Sequence, residues 1–124
     1  MKTDSPEALG ERFYEFALRA VKLTDALPER RLASRVLGDQ VLRSATSVAS
    51  NYEEARGAIS RADFVSKMGL AYKECRESVF WLRLIRDAQL LPPSRLDAIV
   101  AEAMELRAIL GKSLKTARQN RSRE

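Results

Sequence analysis

The chain has 124 residues, 45% of them hydrophobic and 31% charged. That is enough for one domain with a buried core and too little for two large ones, and it fits neither a disordered tail nor a turn-rich all-β protein. There is no His and a single Cys, Cys75, which excludes imidazole-based triads, most metal sites and an internal disulfide, while residues 1–106 hold 16 charges of each sign and leave the whole net +5 to the segment after Leu106.

In chain order, Ser5 is placed to cap a first helix with Pro6 at its first position, where no amide proton is needed. Leu9, Phe13, Phe16, Ala20, Leu23 and Leu27 then recur at alternating steps of four and three, which puts them on one face of a helix over about 6–27. Pro28 stops it. Val41, Ala45, Val48, Tyr52, Ala55 and Ile59 repeat the same steps and predict a second helix over about 32–59. Ser60 with Asp63 forms a capping box built on the shorter acid, so a third helix over about 61–90 follows almost without a loop. It carries Phe64, Met68, Ala71, Cys75, Leu82 and Ile85 on one seam, Val65, Tyr72 and Val79 beside it, and Phe80, Trp81 and Leu84 beyond that. One neighbouring helix does not need so wide an apolar arc. The third helix is therefore either central in the protomer or covered by another subunit, with Phe80, Trp81 and Leu84 as the candidate oligomer interface.

Pro92 and Pro93 end that helix, Ser94 and Asp97 repeat the capping pattern, and Leu96, Ile99, Ala103, Leu106 and Leu110 line a fourth helix over about 94–117. Four amphipathic helices joined by short turns predict an all-α fold, an antiparallel up-down-up-down four-helix bundle in a single domain over 1–117. Arg118 and Arg121 fall where the fourth stripe should stay apolar. Packing therefore ends near Ala117, and residues 118–124 form a basic tail, as a frayed helix or a flexible segment.

The basic end holds Arg107, Lys112, Lys115, Arg118, Arg121 and Arg123 against Glu124 alone. Such a patch attracts phosphate by releasing counterions, and it also complements a helix C-terminus and keeps a chain soluble. Met1 to Pro6 lack the apolar core of a signal peptide, and the longest strongly apolar run is Val79 to Leu82, so no membrane partner and a cytoplasmic location are expected. Helix two concentrates polar residues beside its seam, among them Arg43, Ser44, Ser47, Asn51 and Glu54. They form either a ligand site built on Asn51 and Glu54, or an interhelical network in which Arg43 and Asn51 pair with acids such as Glu54 or Glu74. Glu74 and Glu77 alternate with Lys73, Arg76 and Arg83 as surface charge pairs do. Cys75 lies on an apolar stripe and reads as a buried, poorly reactive thiol. Phe80 and Trp81 could stack on bases, but no basic groove interleaves them in the sequence, so core or subunit contact is the expectation. The five glycines are scattered and make no phosphate loop. No catalytic residue, metal site or cofactor is expected.

The run from Gln40 to Ala55, with its Ser47, Ser50, Asn51 and Glu54 order, resembles the signature of the four-helix-bundle proteins encoded in intervening sequences of 23S ribosomal RNA genes. The resemblance extends to Leu23-Thr24 and Leu27-Pro28, to Asp63-Phe64 and to Glu74. Ala55, Glu53 and Ser44 depart from it and mark a divergent branch. It implies a homo-oligomer, commonly a ring of five, with no enzymatic activity, in which Arg43, Ser47, Asn51, Glu54 and Glu74 are structural network residues. A similar bundle is the accessory protein of diversity-generating retroelements, which implies RNA or DNA and a reverse-transcriptase-like protein as partners. The expectation is a non-enzymatic homo-oligomeric bundle that binds nucleic acid through its basic ends. The alternative is a protein–protein adaptor whose basic end only solubilises it.

Overall fold

The computed structural model describes residues 4–122. Among them lie four α-helices, α1 (Pro6–Asp25), α2 (Leu32–Arg56), α3 (Arg61–Asp87) and α4 (Asp97–Ser122), with a 3₁₀ turn at Pro93–Arg95 before the last. Cross-helix pairs fix the directions. Pro6 meets Tyr52 while Leu27 lies beside Gly38, so α1 and α2 run antiparallel. Ser44 bonds Ser78 and Glu54 reaches Lys67, which reverses α3 against α2. Cys75 bonds the Ala103 carbonyl and Tyr72 lies against Gly111, which reverses α4 against α3. The result is an up-down-up-down bundle in which α3 is packed between α2 and α4, while α1 and α4 meet more thinly.

The core follows the four stripes. Phe13, Phe16, Ala20, Val41, Val48, Met68, Ala71, Cys75, Leu82, Ile85, Leu106 and Leu110 are all essentially sealed from water, each larger apolar side chain contributing about 1.5–3 kcal/mol by burial. Phe13 packs on Tyr52 with ring centroids 4.6 Å apart, and the Tyr52 hydroxyl donates to the Pro6 carbonyl at 3.1 Å. Among the described residues no helix is long and apolar enough to cross a membrane.

The starts of α1 and α3 obey their caps. Ser5 accepts from the Ala8 amide at 3.1 Å. Ser60 accepts from the Asp63 amide at 3.0 Å, and the Asp63 carboxylate reaches back to the Ile59 amide at 3.2 Å. The ends differ from the sequence expectation. The first helix closes at Asp25, and Leu27 is buried outside it. The second closes at Arg56, where the ladder tightens: the Gly57 amide is shared between the Glu53 and Glu54 carbonyls and the Ala58 amide bonds the Ala55 carbonyl three residues back. Ile59 is thereby removed from the seam and is 94% exposed. The third closes at Asp87: Gln89 adopts φ 56°, its amide bonds the Arg86 carbonyl, and the Leu90 amide bonds that of Ile85. This is a Schellman termination, with Leu90 and Ile85 both buried as its hydrophobic contact. The fourth helix begins at Asp97, three residues later than expected; Ser94 lies inside the 3₁₀ turn and Leu96 is buried before the helix starts. Past Ala117 the chain continues as helix to Ser122, with residues 118–120 exposed.

Candidate nucleic-acid interface

The α3/α4 face carries a concavity rich in cations. Its groove is lined by Tyr72, Lys73, Arg76, Glu77, Val79, Phe80, Arg83 and Arg107, and a second hollow continues along α4 past Tyr72, Gly111, Leu114, Lys115 and Arg118. The two helices supply cations at helical spacing, Arg76 and Arg83 from α3 and Arg107 from α4, so the basic character belongs to neither helix alone. Arg76, Arg83 and Arg107 form no salt bridge among the described residues. Glu77 is the one acid among the lining residues, and Arg43 engages it from α2 at 3.1 Å. Arg76 lies over the Tyr72 ring, 5.9 Å from its centroid, close enough for a weak cation–π contact. Gly111 permits the close approach of α4 here, since a Cβ there would stand 3.1 Å from Tyr72 Cε1.

Of the basic residues singled out in the sequence, Arg107 enters this groove, and Lys115 and Arg118 line its continuation. Lys112 is exposed but lines neither hollow. Arg121 is carried on the last turn of α4, and Arg123 lies outside the described residues. The sequence reading missed Lys73, Arg76, Arg83 and Tyr72 as parts of the site. It also held that no basic groove interleaves the aromatics, and this is corrected here: Phe80 sits among Arg76, Arg83 and Arg107. The groove is assembled from residues of two helices, with Arg107 lying about 25 to 35 positions beyond its α3 partners, which linear spacing does not display.

The three residues expected to form an oligomer contact separate into two kinds. Phe80 and Leu84 are exposed at 57% and 38%. Trp81 is half-buried and packed against the core, and its indole N–H is buried without a hydrogen-bond partner among the described residues. Phe80 meets Trp81 edge to face, with centroids 4.9 Å apart and planes at 82°.

The signature residues of α2 form separate local groups rather than one network. Arg43 donates to Glu74 at 3.0 Å and to Glu77 at 3.1 Å on α3, and to Gln40 on its own helix. Burial and the hydrogen bond to Glu77 hold the Glu74 carboxyl above its usual range against the pull of Arg43. Glu77 is lowered by its bonds to Glu74 and Arg43. Asn51, expected to pair with an acid, instead donates to the Ser47 carbonyl at 2.9 Å and to its hydroxyl at 3.0 Å, because the i−4 position is the nearest acceptor on its face. Glu54 reaches Lys67 at 3.7 Å. Between these groups Ser78 donates to Ser44 at 3.0 Å inside the core, a bond that lets α2 and α3 approach closely. Cys75 is sealed, and burial pushes its thiol up to about 12. No group of three or more potential metal ligands occurs among the described residues.

The sequence matches the model of the family described as 23S rRNA-intervening sequence protein over residues 10–112. Among solved structures, a protein with unknown function from the S23 ribosomal protein family of Bacteroides thetaiotaomicron is similar, with 32% identity and a TM-score of 0.78. The match covers 86% of this chain and 98% of that one. No curated protein matches.

Proposed function

The chain belongs to the 23S rRNA-intervening sequence protein family, and from that premise we propose that it is a cytoplasmic, non-enzymatic bundle that binds nucleic acid through the α3/α4 groove. The observation that carries the reading is the convergence of Arg76, Arg83 and Arg107, none with a carboxylate partner among the described residues, around a concave surface holding two aromatic rings. Cations left unpaired by their own protein carry counterions, and a phosphate backbone releases them. Lys115 and Arg118 extend the same track along α4. A single groove of this kind grips modestly. Self-association, as the family resemblance implies with five subunits, repeats it and converts weak contacts into avidity.

Binding of generic RNA and DNA is measured across a salt series with the full chain, with a chain ending at Leu114, and with Arg83→Ala and Arg107→Ala. Affinity falls steeply with salt, each arginine variant lowers the salt slope by about one unit, and the truncation lowers it further. Light scattering on the same samples gives the subunit number. Equal and salt-insensitive binding by all four proteins sinks the reading. A protein adaptor is the second reading, favoured by the exposed apolar pair Phe80 and Leu84; it requires capture of a specific protein that survives high salt.

A further inference from the structure

Phe80 is a large ring left 57% exposed in the middle of a cationic groove. Arg76 and Arg83 stand about one turn before and after it on the same helix, and Arg107 faces it from α4. Its position is held by edge contact with Trp81, which is itself packed against the core. An edge-to-face contact fixes a ring without covering both of its faces.

Three kinds of occupant compete for such a surface. A second copy of this chain, seated groove to groove, would bring two sets of unpaired arginines together, and like charges across an interface are costly; a head-to-tail ring contact would have to set a different, acid-bearing face of the neighbour on the groove, and the subunit number of the Phe80 variant reads that case. A nucleic-acid duplex satisfies the arginines but hides its base faces within its own stack, so the exposed ring would gain nothing from it. A single strand satisfies both features, because its phosphates meet the cations and its unpaired bases offer π-faces to an aromatic platform. We infer that the groove takes single-stranded RNA or DNA, with one base laid on Phe80 and the flanking phosphates held by Arg76, Arg83 and Arg107. The inference rests on the nucleic-acid reading above and narrows its substrate class. Tyr72, whose ring already carries the Arg76 guanidinium, contributes to the wall rather than to the platform.

The test uses the full chain with oligouridine, oligothymidine and blunt RNA and DNA duplexes of equal length, at one low salt concentration, read by anisotropy and by Trp81 fluorescence. Single strands bind more tightly than duplexes and perturb Trp81, the only tryptophan. Phe80→Ala weakens single-strand binding about ten-fold or more, Phe80→Tyr restores it, and duplex binding and the salt slope stay unchanged. Arg83→Ala weakens both forms. Oligouridine and oligothymidine each support the inference if bound in this way; neither preference alters it. Duplexes bound as tightly as single strands, or single-strand binding indifferent to Phe80→Ala, overturns it while leaving general nucleic-acid binding in place. A change of subunit number in Phe80→Ala overturns it in favour of a subunit contact. Absence of binding to every oligonucleotide removes the parent reading instead. Because Phe80 is outside the core, the variants fold, and circular dichroism with a matching melt verifies this in each sample.

Discussion

Arg43 stands between two carboxylates of the neighbouring helix, and its removal leaves Glu74 and Glu77 facing each other without the guanidinium that bridges them, with only the longer-range charge of Lys73 beside Glu77. Glu74 has only 13% of its side chain exposed, so water replaces the lost partner poorly. Arg43→Ala therefore lowers stability by about 1 kcal/mol near pH 7. The sign with pH follows from proton binding. In the native protein Glu74 is raised and Glu77 lowered, so their contributions to the pH dependence oppose each other. Without Arg43 the depression of Glu77 weakens and Glu74 rises further, so the folded state binds protons that the unfolded state has released. The difference from the native protein then shrinks as the pH falls toward about 5. Urea melts of both proteins at the two pH values measure it, and a gap that widens on acidification contradicts the arrangement. At this scale the sequence was partly readable: of the two alternatives it left for the polar residues of α2, the network one offered Glu54 or Glu74 as partners for Arg43 and Asn51, and Arg43 meets Glu74 while Asn51 stays on its own helix. Side-chain reach is not written in residue type, since the same amide bonds an acid across a helix pair or a carbonyl four residues back depending on rotamer and spacing.

The end of α3 illustrates what decides an element boundary. Gln89 holds a left-handed backbone, φ 56°, so that the Gln89 and Leu90 amides can satisfy the carbonyls of Arg86 and Ile85. A side chain bearing a Cβ is strained there, and glycine is not. Gln89→Gly raises stability by about 0.5–1 kcal/mol, seen as a higher denaturant midpoint at constant m-value. An unchanged or lower midpoint would mean that the Gln89 side chain makes up for the strain. The starts of α1 and α3 were legible because Ser5 and Ser60 with Asp63 act on amides within three or four residues, whereas Ser94 fell inside a 3₁₀ turn and the start of α4 was misplaced. Ends were less so. The apolar stripe continues through Leu27, Ile59 and Leu90, and periodicity alone cannot separate a buried residue inside a helix from one in the turn that follows it.

Closure of the whole bundle depends on its thinnest seam. Arg12 on α1 donates to Glu102 of α4 at 2.7 Å and to Asp4 at 2.6 Å, with Glu105 at 3.3 Å. These bonds favour the charged guanidinium and join the first and last helices, which lie less closely together than the helix pairs adjacent in sequence. Arg12→Ala costs about 1–2 kcal/mol, after allowance for the partial exposure of the cluster. The loss appears first as faster amide exchange in α1, ahead of α2 and α3. Uniform loosening of all four helices would assign α1 a deeper share in the core than this seam gives it.

By itself, the amino-acid order determined the four helices, their antiparallel succession and the identity of most core residues, because each of these follows from spacing within one segment. The family signature in α2 was equally legible. Only the tertiary structure decided that the cations of α3 and α4 converge, that Phe80 lies among them, and that Trp81 turns inward as its support. A groove between two helices is set by their register and crossing. Those depend on how Tyr72 meets Gly111 and Cys75 meets the Ala103 carbonyl, contacts between residues about 30 to 40 positions apart that no local pattern encodes.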